Sequence, residues 1–305
     1  MMCQQTQFIS RAVICASGLL AIGSLFLHPA SFGESVVDVI ARSYLMFVGT
    51  VMAHEASHGH LGHSKAANYW WGRLALITSV TPYINFRKTH HLHHIHTNIP
   101  EKDPDHFVKP RTLLEIPLRA ALMPHQWFFW LRKRGYISKS DVRELVWNYV
   151  LIGAVYSALL AFVGPARLLG GMAPALIAES TLLWYVFALK THEGFSTGSP
   201  ESRSHNYYGR LMYWFSFGLS MHRAHHLQPQ LTWLDLRSHV RQGPGGCRWW
   251  LPRRDVRLDV SAWRRDGLLS KSNVLGADKG CHDHATQRTP ATEVFPQDSG
   301  SSCPS

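Results

Sequence analysis

Histidine is the residue type with the most chemistry to offer in this 305-residue chain, which contains 20 of them. Sixteen lie in the interval 54–226, mostly in three dense groups: HEASHGHLGH at 54–63, THHLHHIHTN at 89–98 and HRAHH at 222–226. Neutral imidazole is a good ligand for Fe, Zn, Cu and Ni. The five cysteines are scattered and form no C-x-x-C, so neither a disulfide framework nor a thiolate zinc site is predicted. Any metal chemistry must therefore come from histidine.

Helical spacing selects the candidate ligands from these groups. Side chains three or four residues apart share one face of a helix. One H-x-x-x-H pair and two H-x-x-H-H triplets satisfy this spacing, namely His54, His58, His90, His93, His94, His222, His225 and His226. Eight imidazoles exceed the four or so ligands of a tetrahedral zinc site. They favour two metal ions with open positions, which is what the activation of O2 by a redox metal requires.

The segments that must position these histidines are long and apolar. Four stretches approach the roughly 20 residues needed to cross a bilayer, at 8–27, 36–53, 145–163 and 168–189. The first has no convincing cleavage site after it and is predicted to remain as an anchor. Two aromatic patches, 69–86 and 118–131, are interrupted by prolines and charges and are predicted to be helices at the membrane interface. The fold class predicted is an all-α integral membrane protein with four spans and a cap that carries the histidines.

The positive charge follows this predicted topology. Residues 54–144 carry 13 Lys and Arg against 7 acids, and residues from 190 onwards carry 15 against 10. The positive-inside rule places both regions, both termini and all three histidine groups in the cytoplasm. The net charge of +11 therefore marks membrane orientation, and a nucleic-acid partner is not predicted. Two regions are expected along the chain: a membrane domain at 1–242, and a basic to polar tail at 243–305 whose last part is disordered by composition.

The three histidine motifs resemble those of the membrane fatty acid desaturase superfamily, which also contains hydroxylases and carotenoid ketolases. The resemblance covers about residues 40–240 and rests on H-x-x-x-H at 54–58, H-x-x-H-H at 90–94 followed by Thr97-Asn98 and Asp103-Pro104-Asp105, and H-x-x-H-H-L-x-P at 222–229. It implies a cytoplasmic cap that holds two non-haem iron ions. It also implies that O2 and two electrons are used on an unactivated C–H bond of a lipid.

The resemblance extends the set of predicted site residues. A further histidine after the last span usually completes the ligand set, and His192 best matches that position, with His205 as second choice. Asp103 and Asp105 are candidates for orienting ligand histidines, since such residues usually donate their second N–H to a carboxylate; a simple turn around Pro104 explains them equally well. No H-P-G-G haem signature occurs, so electrons are expected from a separate carrier of the ferredoxin or cytochrome b5 type.

The sequence also departs from the superfamily pattern. Glu55 stands where the first motif usually has aspartate, and Gly218 stands where many members have an asparagine before the third motif. Fatty acyl desaturation is the function expected from family frequency, with hydroxylation or ketolation as alternatives.

Two further alternatives come from other classes of protein. The segment His54-Glu55-Ala56-Ser57-His58 also matches the H-E-x-x-H motif of zinc metalloproteases. That hypothesis leaves both H-x-x-H-H groups unexplained. A metal sensor or transporter is a second alternative, but transporters place ionisable ligands within their spans. Here the predicted spans carry only Asp38, Arg42 and Glu179 away from the N-terminal edge.

Overall fold

The computed structural model describes residues 2–99, 101–105, 112–183, 191–192, 204–236 and 253–254. Within these ranges the protein is helical apart from one two-residue antiparallel ladder, Tyr207–Tyr208 (β1) with Arg253–Arg254 (β2). The helices are α1 Met2–Gly23, α2 Phe32–Ser57, α3 Lys65–Leu76, α4 Tyr83–His96, α5 Ile116–Lys133, α6 Lys139–Val163, α7 Pro165–Leu183, α8 Arg210–Phe215 and α9 His222–Leu227. Apart from Arg253 and Arg254, the predicted tail 243–305 lies outside the described residues.

Among the described residues, three helical segments are long and apolar enough to cross a membrane: Gln4–Phe26, Phe32–Ser57 and Lys139–Val163. Their outward surface is apolar, since Leu19, Ile40 and Phe162 are 71%, 63% and 79% exposed. A bilayer would cover such side chains. The fourth predicted span, 168–189, is helical as α7 over Pro165–Leu183, and residues 184–190 lie outside the described part of the chain.

Long-range hydrogen bonds fix how the long helices run. Arg42 on α2 donates to the Gly171 carbonyl on α7 at 2.8 Å, and Thr50 on α2 donates to Glu179 on α7, also at 2.8 Å. The second contact lies eight residues after the first on α2 and also eight residues after the first on α7. The two helices therefore run parallel. The short α6–α7 connection at Gly164 makes those two helices antiparallel, with Leu159 packed beside Leu168 and Met172. The C-terminal ends of α2 and α7 therefore lie at the same end of the bundle.

The two aromatic patches that the sequence analysis expected as interfacial helices have different outcomes. The patch 69–86 is divided between α3 and α4, because the chain turns at 77–82 and Val80 has a positive φ of 51°. Pro82 then precedes the first residue of α4 and accepts its early amides, from Asn85 and Phe86. The patch 118–131 forms part of the single helix α5, which retains Pro124 in its interior. Because the chain turns after α3, helix α4 can run in a different direction from α3. The second histidine motif on α4 then lies beside the C-terminal end of α2.

Arg42 connects three helices from the interior. Its side chain is 1% exposed, forms an ion pair with Asp38 at 2.5 Å, and donates to Ser24 Oγ at 3.0 Å and to the Gly171 carbonyl. The i and i+4 spacing of Asp38 and Arg42 places the two side chains on the same face of α2. A buried arginine with this many partners holds α1 and α7 to α2.

We expect Arg42→Ala to lower the stability of the bundle strongly. The substitution leaves Asp38 without its cation and empties a packed site, and breaking a buried ion pair costs about 3–5 kcal/mol. Thermal unfolding of the detergent-solubilised protein measures the effect. Arg132→Ala is the control, because Arg132 is exposed at the end of α5. Equal melting temperatures for the two variants would show that the Arg42 network does not stabilise the fold.

Candidate metal centre

Nine histidines converge at the end of the bundle where α2 and α7 finish. They form two adjacent groups, within each of which the possible ligand atoms lie within 4.8 Å of one another. We call the first group site A and the second site B. Site A contains His54, His58, His90, His94 and His225, and site B contains His93, His192, His222 and His226.

Helical geometry explains how each motif is divided between the sites. Residues at i and i+4 stay together: His54 and His58 from α2 and His90 and His94 from α4 belong to site A, whereas His222 and His226 from α9 belong to site B. The middle histidine of each H-x-x-H-H motif belongs to the other site: His93 to site B and His225 to site A. Helices α4 and α9 therefore each contribute to both sites, which holds the two sites next to each other.

The ring nitrogens approach at distances suited to metal ligands. In site A, Nε2 of His90 lies 2.8 Å from Nε2 of His58 and 3.0 Å from Nε2 of His94. In site B, Nε2 of His192 lies 3.1 Å from that of His93 and 2.9 Å from that of His222. With a metal–nitrogen bond of about 2.1 Å, neighbouring ligands at 90° are separated by about 3.0 Å and tetrahedral ligands by about 3.4 Å. The observed spacing matches ligands at right angles.

Hydrogen bonding among the rings does not account for this convergence. A neutral imidazole nitrogen either carries one hydrogen or offers one lone pair. The Nε2 atom of His90 has two Nε2 neighbours and so does that of His192, and one such nitrogen cannot satisfy both. In addition, neither ring nitrogen of the buried His54 has a hydrogen-bond partner among the described residues. A cation at the centre of each group would satisfy all these lone pairs.

The protonation preferences agree with a ligand role. Burial, followed by the charges of neighbouring histidines, holds the pKa of His58, His90 and His94 well below its usual value. The same causes lower the pKa of His222, His225 and His226. These rings are therefore neutral at pH 7, and the neutral form is the one that binds a metal.

His93 is the exception, because two carboxylates face it. Its Nδ1 lies 3.0 Å from Oδ1 of Asp103 and 3.5 Å from Oδ2 of Asp105. Burial lowers the pKa of His93, but the negative charges of Asp103 and Asp105 outweigh it and raise that pKa to about 9. Asp103 also accepts the amide of Asn98, which fixes the turn after α4. The structure thus brings both predicted acids to one ligand, with Asp103 in direct hydrogen-bonding contact.

The remaining histidines of the three motifs lie outside both groups. His60 is buried and bonded through Nδ1 to Glu55, His91 donates from Nε2 to the Ser57 carbonyl at 2.8 Å, and His63 is exposed. His96 is buried but is not part of either group, and His106 lies outside the described residues. Among the described residues, His60, His63, His91 and His96 are thus the motif histidines that helical spacing does not select.

His205 also lies outside both groups, yet its backbone positions them. Its amide donates to the Thr191 carbonyl beside His192 at 2.8 Å, and its carbonyl accepts from Arg223 in α9 at 3.3 Å. The adjacent Asn206 accepts the Ala224 amide. This segment therefore holds His192 against the third motif.

The fatty acid desaturase family model matches residues 37–248, which is more than half of the chain and contains all nine histidines. The chain belongs to the fatty acid desaturase family. Among similar proteins, fatty acid conjugase FAC2 B of Calendula officinalis is 30% identical over 114 residues, covering 34% of this chain and 29% of the relative. The Delta(9) fatty acid conjugase-like enzyme of Dimorphotheca sinuata is 36% identical over 83 residues, covering 25% of this chain and 22% of the relative. The chain thus spans less than a third of the length of these curated relatives.

Membership in the desaturase family agrees with the donor set. The family is generally di-iron and O2-dependent and acts on lipids in membranes. Five and four imidazoles in adjacent groups suit two iron ions better than a single zinc, because imidazole is a good iron ligand and zinc takes about four ligands.

A cavity of about 120 Å³ leads to the two sites of this desaturase-family chain. His54 and His90 from site A and His93 and His222 from site B line one part of it. Apolar side chains of α4, α5, α7 and the segment before α9 contribute to the remaining wall, among them Phe86, Ala120, Met123, Trp127, Leu183 and Leu219. Such walls accept a hydrocarbon chain and bring it against the histidines.

Glu55 has a role that sequence analysis did not assign. Its carboxylate is buried, with Oε2 accepting from His60 Nδ1 at 2.9 Å and from the backbone amide of Trp233 at 3.0 Å. It therefore ties the first motif to the loop that follows the third. The only signal in the sequence is its adjacency to His54, because its partner Trp233 is 178 residues away.

Gly218 is one of the two departures from the superfamily pattern, and the structure gives a steric reason for glycine at this position. Its φ is +79°, and a Cβ there would lie 2.8 Å from the carbonyl oxygen of Trp233. Any larger residue would push away the loop that Glu55 holds.

We expect Asp103→Asn to weaken iron binding at site B by roughly 10–100-fold, the usual effect of removing a partner that orients a metal ligand. The substitution removes the negative charge that faces His93 Nδ1. Iron content of the purified protein, measured over a series of iron concentrations, tests the expectation. Asp141→Asn is the control, since Asp141 pairs with Lys88 at 2.7 Å, apart from both sites. If Asp103→Asn binds iron with unchanged affinity, Asp103 does not orient a metal ligand.

Proposed function

We propose that this chain is an O2-dependent membrane oxidoreductase that introduces a C=C bond into a fatty acyl lipid. The observation that carries the proposal is the convergence of nine histidines in two adjacent nitrogen-rich groups at one wall of an apolar cavity. Family membership supports the same reaction class. Hydroxylation and ketolation use the same kind of centre and are the alternatives within the family.

The proposed ligands of two non-haem iron ions are the members of sites A and B. His54, His58, His90, His94 and His225 would hold one ion, and His93, His192, His222 and His226 the other. Bound iron would supply the redox chemistry that allows O2 to attack an unactivated C–H bond. In the balanced reaction, two hydrogens of a –CH2–CH2– unit, two electrons and two protons combine with O2 to give a double bond and two waters.

The residues of the chain would prepare that reaction in three ways. Asp103 would hold the His93 ring by accepting its Nδ1–H, while Glu55 would hold the Trp233 loop beside the first motif. Phe86, Met123 and Trp127 would bind the acyl chain and exclude water from the reacting carbons. Burial would keep six of the histidines neutral and available as ligands, namely His58, His90, His94, His222, His225 and His226.

The membrane arrangement is part of the proposal. We infer four spans, formed by α1, α2, α6 and the segment that begins with α7, with both termini and the histidine sites on the cytoplasmic side. The charge distribution supports this orientation, because Lys and Arg concentrate in 54–144 and beyond 190. Electrons would come from a separate carrier, of the ferredoxin or cytochrome b5 type, docking on that face.

The zinc protease hypothesis meets a specific difficulty in the position of Glu55. In an H-E-x-x-H protease the glutamate is a general base for metal-bound water. Here its Oε2 is occupied by His60 Nδ1 and the Trp233 amide, and its Oε1 lies 3.5 Å from Nδ1 of His54. The carboxylate is thus used to hold the loop. The seven members of sites A and B outside the first motif are also left unexplained by a protease.

Expression of the full chain in a desaturase-deficient host tests the proposed reaction. We expect lipids with one additional double bond, seen by mass spectrometry as products 2 Da lighter than their precursors (two hydrogens, on the order of 2 mass units). A host carrying the His226→Ala variant is the control. Products heavier by an oxygen atom would support a hydroxylase instead, and an unchanged lipid profile would contradict lipid oxidation.

A further inference from the structure

The cavity of site A and site B contains one polar feature that the proposed desaturation of a plain acyl chain does not use. Glu179 on α7 is 1% exposed and lines the cavity together with Thr50 and Ser180. Ionisable residues in membrane-spanning segments are costly to bury and usually mark a functional site. Glu179 therefore calls for a role beyond packing.

Three hydroxyl groups surround the Glu179 carboxylate, and they leave it partly free. Thr50 and Ser79 both donate to Oε1, at 2.8 and 3.3 Å, whereas Ser180 alone contacts Oε2, at 3.3 Å. No Lys or Arg pairs with Glu179 within the described ranges. A carboxylate accepts about four hydrogen bonds. Acceptor capacity thus remains at Oε2 of a residue that lines the cavity.

The same two helices contain a second buried ionisable residue, Arg42, whose hydrogen-bond partners can be compared with those of Glu179. Eight residues earlier along α2 and α7, Arg42 is paired with Asp38 and also bonded to the Gly171 carbonyl. That network satisfies its charge within the protein. Glu179 has no oppositely charged partner within the described residues, and it lines the cavity. This difference indicates that a polar group of a bound molecule completes its hydrogen bonds.

The distance from Glu179 to the metal sites is short. Thr50, which bonds to Glu179, lies four residues before His54 on α2, or about 6 Å along the helix axis. Both Thr50 and His54 line the cavity. A substrate that passes site A therefore places atoms a few bonds from its reacting carbon beside Glu179.

We propose that Glu179 recognises a hydroxyl group on the lipid substrate, a few bonds from the carbon that is oxidised. This inference rests on the proposed function and narrows its substrate class. The hydroxyl would donate to Glu179 Oε2, the oxygen that also accepts from the Ser180 hydroxyl. A plain methylene chain would leave that carboxylate facing hydrocarbon, which is unfavourable for a buried acceptor. Sites built to bond a substrate hydroxyl discriminate strongly against analogues that lack it.

Binding of matched lipids to the purified full-length protein tests the proposal. The probes are an 18-carbon fatty acid and its positional hydroxy isomers, in detergent, with affinity read from the lipid-dependent rise in melting temperature. We expect at least one isomer to bind roughly ten- to a hundredfold more tightly than the unsubstituted acid, since the unsubstituted acid leaves a buried acceptor without a partner. This comparison needs no variant.

Variants then assign the preference to Glu179. Glu179→Leu is expected to lose the hydroxyl preference while still binding the unsubstituted acid, and Glu179→Gln to retain part of it through its amide. Ser43→Ala is the matched control. Ser43 is a buried hydroxyl of α2 whose one hydrogen bond within the described residues goes to the Val39 carbonyl, and it does not line the cavity. Its preference should equal that of the unaltered protein.

Three results would overturn the inference: equal binding of all isomers and the unsubstituted acid, no binding of any probe, or an intact preference in Glu179→Leu. Equal binding is what a water molecule held by Glu179 would produce. Failure of the proposed function is separate, because it appears as absence of oxidised lipid. A hydroxyl preference without any oxidised product would contradict desaturation and leave the inference standing.

Discussion

Replacing His94 with alanine is expected to abolish lipid oxidation while leaving the protein inserted in the membrane. Nε2 of His94 lies 3.0 Å from that of His90 and 3.1 Å from that of His225, in the middle of site A. Loss of a partner that merely orients a ligand already costs about 10–100-fold. Loss of a ligand itself should therefore cost more, and product should fall below detection.

His226→Ala makes the same test at site B. The His226 ring stacks on His94 at a centroid distance of 4.2 Å, and its Nε2 lies 3.1 Å from that of His222. Because the two substitutions empty different sites, each should remove one of the two metal ions and both should remove activity.

The control for both variants is His63→Ala. His63 belongs to the first histidine motif but is exposed and outside both sites. We expect it to oxidise lipid at the unaltered rate, as measured by mass spectrometry of membranes with equal protein content. Normal activity in His94→Ala or His226→Ala would refute the assignment of that residue as a ligand.

Local spacing was sufficient to predict most of the residues at the site. The pairs His54 and His58, and His90 and His94, are four residues apart, and a helix places such residues together whatever the rest of the chain does. Helical spacing also distinguishes the other histidines, such as His63, because they do not share a helix face with these pairs. His192 has no local partner and was suggested only by the family resemblance.

The division of the histidines into two sites was not predictable from spacing. It depends on long-range packing, which places His93 beside His192, 99 residues away, and His94 beside His225, 131 residues away. The partners of Glu55 and Glu179 were not predictable either, because they also depend on long-range packing. Each bonds across more than 120 residues, to Trp233 and Thr50, and no periodicity reports such contacts.

The fold was predictable to a similar depth. Hydropathy located the helices that became α1, α2 and α6, since a long apolar run has few other stable conformations in a bilayer. It did not reveal the turn at 77–82 that separates α3 from α4. That turn depends on Pro82 and on a positive φ at Val80, a residue type that rarely adopts it.

Metal analysis should find about two iron ions and no zinc per chain in the purified full-length protein, the content expected for two adjacent sites of five and four imidazoles. Chelation should remove the activity, and Fe(II), unlike Zn(II), should restore it. His94→Ala and His226→Ala should each retain about one ion, which would assign the ions to sites A and B separately.

The metal content also decides between reaction classes. A protease built on His54, Glu55 and His58 needs a single zinc and would keep it when His226 is replaced, because His226 belongs to the other site. One zinc and no iron would therefore contradict the di-iron assignment directly. Two irons that both survive in His226→Ala would instead show that the two groups act as one site, since the nine nitrogens then hold the pair jointly and not as five and four.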